Sequence, residues 1–323
     1  MRDPSLGDGS SGVGIDLASL IALRQEAGRL QIAPRGKVLA TRSGGHLSRF
    51  RGRGMEFDES RVYQPGDDPR NMDWRVTARS SVAHVKLFRE ERERPVWLLV
   101  DSGPGMRFGT RVAFKSVVAA QAAALLAWAA VDKGDRVGGV VFDEDRRIEY
   151  RPAARTRALL PLLNGLAQLT GVHNGSAPVP AHRSGFGSLA AAAGHLVNLV
   201  RPGSLVFLIS DFSGLEQQDS GWMARLAAGS EVVFVQVYDA LEVTAPPAGH
   251  YPVTDGSSLF VLDTAGTGLR RHWAKRFTDH TAMLQQLCRR YQAHLIGLRT
   301  DQAVGEVLRQ GLRPQGRRPG GIR

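Results

Sequence analysis

Four runs of apolar residues, each of strand length, recur along the chain: "VWLLVD" (Val96–Asp101), "RVGGVVF" (Arg136–Phe142), "SLVFLISD" (Ser204–Asp211) and "EVVFVQVYD" (Glu231–Asp239). A strand that is apolar at nearly every position, instead of at alternate ones, must be covered on both faces, which is the condition of a parallel sheet. Segments of helical length and periodicity separate them: Val112–Asp132, Ala154–Gln168, Ser188–Leu199, Trp222–Ala228 and His272–Tyr291. "RRIEYRP" reads as an edge strand beside the second run, "SLFVLDT" as a short strand and "AHLIGLRT" as the last one. Strands alternating with helices predict an α/β fold, a doubly wound and mostly parallel sheet with helices on both faces.

In such sheets ligands gather beyond the carboxyl ends of the strands, where the strand order reverses. Asp101 and Asp211 each close an apolar run, so both carboxylates have a functional address before anything else is known. The longest apolar run, Val117–Val131, falls short of the roughly 20 residues a membrane span needs, and Gln121 interrupts it. It is expected to be a buried helix. Met1–Ser11 is polar and Gly-rich where a secretion signal would be apolar, and the single Cys288 permits no intrachain disulfide. The expected setting is the cytoplasm. A net charge of +11 raises the question of nucleic acid. The arginines are interleaved with acids, however, and neither zinc-ligand spacing nor an aromatic RNA-binding motif is present, so nucleic-acid binding is not expected.

Four stretches follow along the chain. Residues 1–47 form an extension with one amphipathic helix, since Leu17, Leu20, Ile21, Leu23 and Leu30 fall at helical spacing. Residues 48–95 are dense in charge, glycine and aromatics. Residues 96–300 hold the α/β domain, and 301–323 read as a basic, flexible tail.

A hydrophobic strand ending in Asp101, a short loop, a long helix, "GDRVGGVVF" and then "VFLISD" together resemble the von Willebrand factor A fold. That resemblance implies a metal-ion-dependent adhesion site: Asp-x-Ser-x-Ser after the first strand, a threonine from a second loop and an aspartate from a third. Such a donor set suits magnesium, a hard cation that takes oxygen ligands in octahedral geometry. Asp101 matches the first position and Asp211, in "ISDFSG", the last. Gly103 and Gly105 stand where the serines belong, and Gly187 stands at the threonine, with Ser188 beside it. Two of the five implied ligands remain, so the expectation is a degenerate site without a cofactor; weak magnesium binding completed by waters is the alternative. Two neighbouring carboxylates without an ion repel, and one pKa rises unless a cation relieves them; Lys115, Arg79 and Arg183 are the candidates. Ser102 lacks a Gly-x-Ser-x-Gly elbow and an assignable histidine, so no catalytic residue is expected.

Residues 52–91, "GRGMEFDESRVYQPGDDPRNMDWRVTARSSVAHVKLFREE", are the most specific stretch. With the strand and helix after them they resemble the bacterial domain-of-unknown-function family fifty-eight, whose motif is carried by Arg61, Tyr63, Gly66, Asp67, Asp68, Arg70, Asp73, Trp74 and Arg79. Physically, Pro65-Gly66 suits a type II turn, and Asp68-Pro69 suits a helix start. Arg70, Asp73 and Arg79 are expected to form an ion-pair network about Trp74. The segment would either clamp the Asp101 loop or serve as a docking surface. The resemblance implies a non-enzymatic interaction or adaptor protein that partners a MoxR-type AAA+ ATPase in the assembly or maturation of other proteins. Its contact surface would include Asp101, Ser102, Gly105, Ser188, Asp211 and Ser213. The rival expectations are an adhesion-type module with weak magnesium binding, a metal-dependent hydrolase and a nucleic-acid binder.

Overall fold

A computed structural model describes residues 10–32, 55–90, 94–170, 188–215, 221–254 and 258–313. Arg183, Gly187 and the 314–323 part of the basic tail lie outside the described residues. The chain divides into two compact units, one of Met1–Lys37 with Arg94–Arg323 and one of Val38–Glu93.

The larger unit is a mixed α/β body around a six-stranded sheet. Its strands are β1 (Pro95–Asp101), β2 (Arg136–Phe142), β3 (Arg147–Ala153), β4 (Leu205–Ser210), β5 (Glu231–Tyr238) and β6 (His294–Arg299). The spatial order is β6-β5-β4-β1-β2-β3, parallel throughout except for the antiparallel edge strand β3. The chain therefore builds one side of the sheet, returns to β1, and builds the other side from β4. β1 and β4 flank the switch point.

The uniform apolar character of the central strands has a direct cause. Val96, Leu98 and Val100 of β1 point into one buried cluster, and Trp97 and Leu99 point into another on the opposite face. Each such side chain contributes about 1.5–3 kcal/mol on leaving water. The first cluster is roofed by helices α1 (Lys115–Asp132), α2 (Thr156–Thr170) and, later in the chain, α6 (Val304–Gly311). The second is roofed by α3 (Leu189–Leu199), α4 (Gly221–Ala227) and α5 (Thr267–Arg290). Helix α1 is long and apolar enough to cross a membrane by length and composition, yet 83% of that window is buried inside the protein. Its alanines, with Ala119, Ala120, Ala122, Ala123 and Ala124 all at 0% exposure, let neighbouring helices approach closely.

Several elements depart from the sequence expectation. The N-terminal helix is two short ones, Leu17–Ala22 and Arg24–Ala27, and Leu20 is fully buried while its carbonyl accepts from Trp128 Nε1 (3.0 Å). Packing against α1 outweighs the local periodicity. The tail begins later than expected, because residues 304–311 form α6, with Leu308 fully buried in the core. Strand Leu259–Asp263 lies outside the central sheet; it pairs antiparallel with His250–Thr254 in a separate hairpin. Gly138, in the middle of β2, has a steric reason: a Cβ there would lie 2.7 Å from Tyr150 O and from Pro152 N of β3.

The smaller unit is an antiparallel pair, Met55–Val62 with His84–Glu90. Between its strands, Asp67 N donates to Gln64 O (3.0 Å) and Gly66 has φ +107°, the type II turn expected of Pro65-Gly66. Asp68 caps a short 3-10 helix, Pro69–Asn71, and Arg61 pairs with Asp67 (2.7 Å). The network expected about Trp74 does not form among the described residues. Asp73 is an N-cap instead, accepting from Ser60 Oγ (2.8 Å), Arg75 N and Val76 N, while Trp74 is 69% exposed.

Candidate functional site

The switch point puts Asp101, the last residue of β1, beside Ser210 and Asp211 at the end of β4. Asp101 Oδ2 accepts from Ser210 Oγ (2.6 Å) and Oδ1 accepts from Gly103 N (2.8 Å). Asp211 Oδ1 accepts from Ser213 N (2.8 Å), and its Oδ2 accepts from the ammonium of Lys115 (2.7 Å).

Lys115 opens α1 and is 1% exposed. Its Nζ also donates to Glu242 Oε1 (2.8 Å). Glu242 is held by a capping box on the short helix Ala240–Val243: Asp239 N donates to Glu242 Oε2 (2.7 Å), while Asp239 caps the helix. Of the three cations named from sequence, Lys115 is the one seated on Asp211; Arg79 belongs to the smaller unit and Arg183 lies outside the described residues.

The two carboxylates titrate in opposite directions. Desolvation pushes Asp101 up to about 6, and repulsion from Asp211 adds to it, against the hydrogen bonds from Ser210 and Gly103. Desolvation acts on Asp211 in the same sense, but the charge and hydrogen bond of Lys115 and the Ser213 amide hold it below the ordinary carboxylate value. Burial pulls the Lys115 ammonium down; Asp211 and Glu242 more than offset this and raise it.

A measurable consequence concerns Asp101. Between its unfolded value near 3.8 and about 6, the folded chain holds a proton that the unfolded chain has lost, so stability falls as pH rises through that window. At neutral pH the ionised carboxylate costs about 1–3 kcal/mol. Asp101→Asn is therefore expected to unfold at higher urea than the wild type above pH 6, with the gain vanishing toward pH 4. A variant less stable than the wild type at pH 7 would show that the carboxylate's hydrogen bonds outweigh its desolvation.

The glycines are crowded positions. A Cβ on Gly105 would lie 3.0 Å from Asp211 Oδ2 and 3.3 Å from Ser213 Oγ; one on Gly103 would lie 3.1 Å from Asp101 Oδ1. Serines there would thus point hydroxyls into the same cluster. As they stand, the loops make a poor donor set for a hard divalent ion: two carboxylates without those hydroxyls, one of them already bonded to an ammonium. Among the described residues, no group of three His, Cys, Asp or Glu side chains is arranged to hold a metal.

Of the remaining residues singled out from sequence, Ser188 is the N-cap of α3 and accepts from Ala191 N (3.2 Å). Ser213 is exposed at the site's rim, and Ser102 is buried with its hydroxyl unpartnered. Arg61, Tyr63 and the rest of the 61–79 motif belong to the smaller unit.

Sequence reasoning missed Glu242 and Asp239. Asp239, fully buried, accepts from Thr110 Oγ1 (2.6 Å), Thr110 N (3.1 Å), Leu241 N (2.9 Å) and Thr300 Oγ1 (2.5 Å). It ends an apolar run just as Asp101 and Asp211 do, and the Asp-x-x-Glu spacing to Glu242 is a capping-box signal. Both clues were present in the string.

The model of the family described as "Protein of unknown function DUF58" matches residues 59–283. Uncharacterized protein Mb1516 of Mycobacterium bovis and uncharacterized protein Rv1480 of Mycobacterium tuberculosis are each 33% identical to this chain over 278 residues, 84% of this chain and 83% of theirs. Among solved structures, the conserved hypothetical protein BatB from Bacteroides thetaiotaomicron aligns with a TM-score of 0.37 at 16% identity, over 68% of this chain and 97% of that one. An aerotolerance-related membrane protein from Bacteroides fragilis aligns with a TM-score of 0.40 at 13% identity, over 68% and 98%.

Proposed function

This chain belongs to the DUF58 family of proteins of unknown function, and we propose that it is a non-enzymatic interaction module of von Willebrand A-like fold, acting in the cytoplasm as the partner of a MoxR-type AAA+ ATPase. The observation that carries this reading is the state of the two strand-end carboxylates. Both sit at the switch point, where α/β sheets present their ligands, and both Asp101 oxygens and both Asp211 oxygens already accept hydrogen bonds from the chain's own groups. Each carboxylate oxygen offers two lone pairs, and one on every oxygen here is committed to the chain, which holds the pair fixed beneath the loops that a partner would meet.

A second feature supports protein binding. The hairpin His250–Thr254 with Leu259–Asp263 follows β5 at the carboxyl end of the sheet, the end that carries Asp101 and Asp211. It exposes Leu259 (74%), Val261 (68%) and Phe260 (56%). Pro252 on its first strand lacks an amide donor, whereas the second strand has no proline and, among the described residues, pairs on one side alone, an apolar edge of the kind that pairs with another chain.

The test is retention of the purified chain on an immobilised, nucleotide-free MoxR-type ATPase, in magnesium and in EDTA. Retention is expected to be equal in both buffers. It is expected to weaken at least about tenfold, some 1.4 kcal/mol, in Asp101→Ala and in Val261→Lys. Retention lost on chelation alone, or unchanged in both variants, would overturn the reading.

A further inference from the structure

We infer that Lys115 is a resident cation: its ammonium takes the place of the divalent ion that an adhesion-type loop set would bind, so the centre is complete without metal. The inference borrows from the reading above only the comparison with a metal-bearing site. Its evidence and its test are independent of any protein partner.

Placing a lysine here is unfavourable on every local ground. The side chain is 2% exposed, and an ion taken from water costs several kcal/mol unless it is paired and fully hydrogen-bonded. It stands at the first residue of α1, where the helix dipole disfavours a positive charge. Only the surrounding anions make the position tenable. Asp211 lies on one side at 2.7 Å and Glu242 on the other at 2.8 Å, with the Phe108 ring face 5.9 Å from the ammonium. Glu242 is in turn oriented by the Asp239 amide. This is a built counter-ion site with its cation supplied by the chain.

The same geometry excludes a second cation. A magnesium ion on Asp211 Oδ2 would sit about 2.0–2.1 Å from that oxygen, beside an ammonium that is hydrogen-bonded to the same atom. The two charges would repel across a cluster largely shielded from water. The hydroxyls that would help hold such an ion are also missing, since Gly103 and Gly105 occupy the positions from which a Cβ would reach Asp101 Oδ1 and Asp211 Oδ2. Lysine in α1 and glycines in the loop therefore act in the same direction, against a bound divalent ion. The consequence is a site insensitive to divalent ions and chelators.

The experiment is a titration of the full chain with Mn2+, followed by the electron paramagnetic resonance of the free ion. Wild-type protein is expected to leave the free-ion signal unchanged at millimolar Mn2+. The triple variant Lys115→Ser, Gly103→Ser, Gly105→Ser is expected to bind Mn2+ at least about tenfold more tightly than the wild type does. Wild-type binding that Asp211→Asn abolishes would overturn the inference, and so would a folded triple variant that binds no better. Should the triple variant not fold, the wild type still decides. The Lys115 ammonium resonance, seen by nitrogen-15 correlation, should persist unbroadened in Mn2+; paramagnetic loss of that resonance would place the ion in the site and end the case. Loss of partner retention in the earlier pull-down would leave all of these readouts untouched.

Discussion

Replacing Lys115 by methionine is expected to lower the unfolding free energy by roughly 3–5 kcal/mol, the cost of removing one member of a buried, hydrogen-bonded ion cluster. Methionine matches the stem of lysine in length, so the loss is electrostatic more than steric. It leaves the Asp211 carboxylate, only 8% exposed, beside Glu242 with no cation between them. The pH signature follows from the direction of each shift. Lys115 is raised above 10.5, so its contribution is complete below that pH and is lost only as pH climbs through the higher folded value. Asp211 is lowered from 3.8, so its contribution is present above that pH and is lost as pH falls through the lower folded value. In the methionine variant Asp211 keeps its desolvation and loses the ammonium that lowers it, so the difference between wild type and Lys115→Met, measured by urea unfolding, should be largest at alkaline pH below the Lys115 titration and shrink as pH falls and the variant's Asp211 takes up a proton. Adding Asp211→Asn to the methionine variant should restore part of the loss, because the uncompensated anion goes with its cation. A methionine variant within about 0.5 kcal/mol of the wild type would mean that the ammonium contributes nothing net.

Asp239→Ala is expected to cost on the order of 3–5 kcal/mol. The carboxylate is fully buried and accepts from Thr110 N, Thr110 Oγ1, Leu241 N and Thr300 Oγ1. Each donor orphaned away from water costs about 1–3 kcal/mol, and water entering the cavity relieves part of the total. The carboxylate also anchors three places at once: the loop between β1 and α1 through Thr110, the segment after β6 through Thr300, and the Glu242 capping helix. Hydrogen exchange should accordingly rise at Thr110 and Leu241 before it rises in β1. Asp239→Asn retains an acceptor and should lose less than half as much in urea unfolding. Equal losses in the two variants would show that packing, and not hydrogen bonding, sets the cost.

The sheet was readable in the string because its physics is local. A strand covered on both faces needs apolar side chains at nearly every position, and Val96–Val100 and Leu205–Ile209 satisfy that need without reference to any other residue. Turn and cap chemistry was equally local: Gly66 at positive φ and Asp68 as a cap follow from the conformations those residues permit. The errors fell where a distant contact decides. Leu17–Ala27 has helical spacing, yet it breaks at Leu23 to fit against α1. Asp73 has arginines nearby in sequence, yet it spends its oxygens on Ser60 and two backbone amides.

The candidate site divides along the same line. Asp101 and Asp211 could be placed at a strand end from sequence, because burial of the strand forces its first polar residue to the edge. Which cation meets them could not, because Lys115, Asp211 and Glu242 lie 96 and 127 positions apart and are brought together only by the strand order. Composition and periodicity determine which side chains must leave water. The crossing at β1 and β4 determines which charges then face one another, since Coulomb attraction between groups remote in the chain exists only once the sheet has closed the distance.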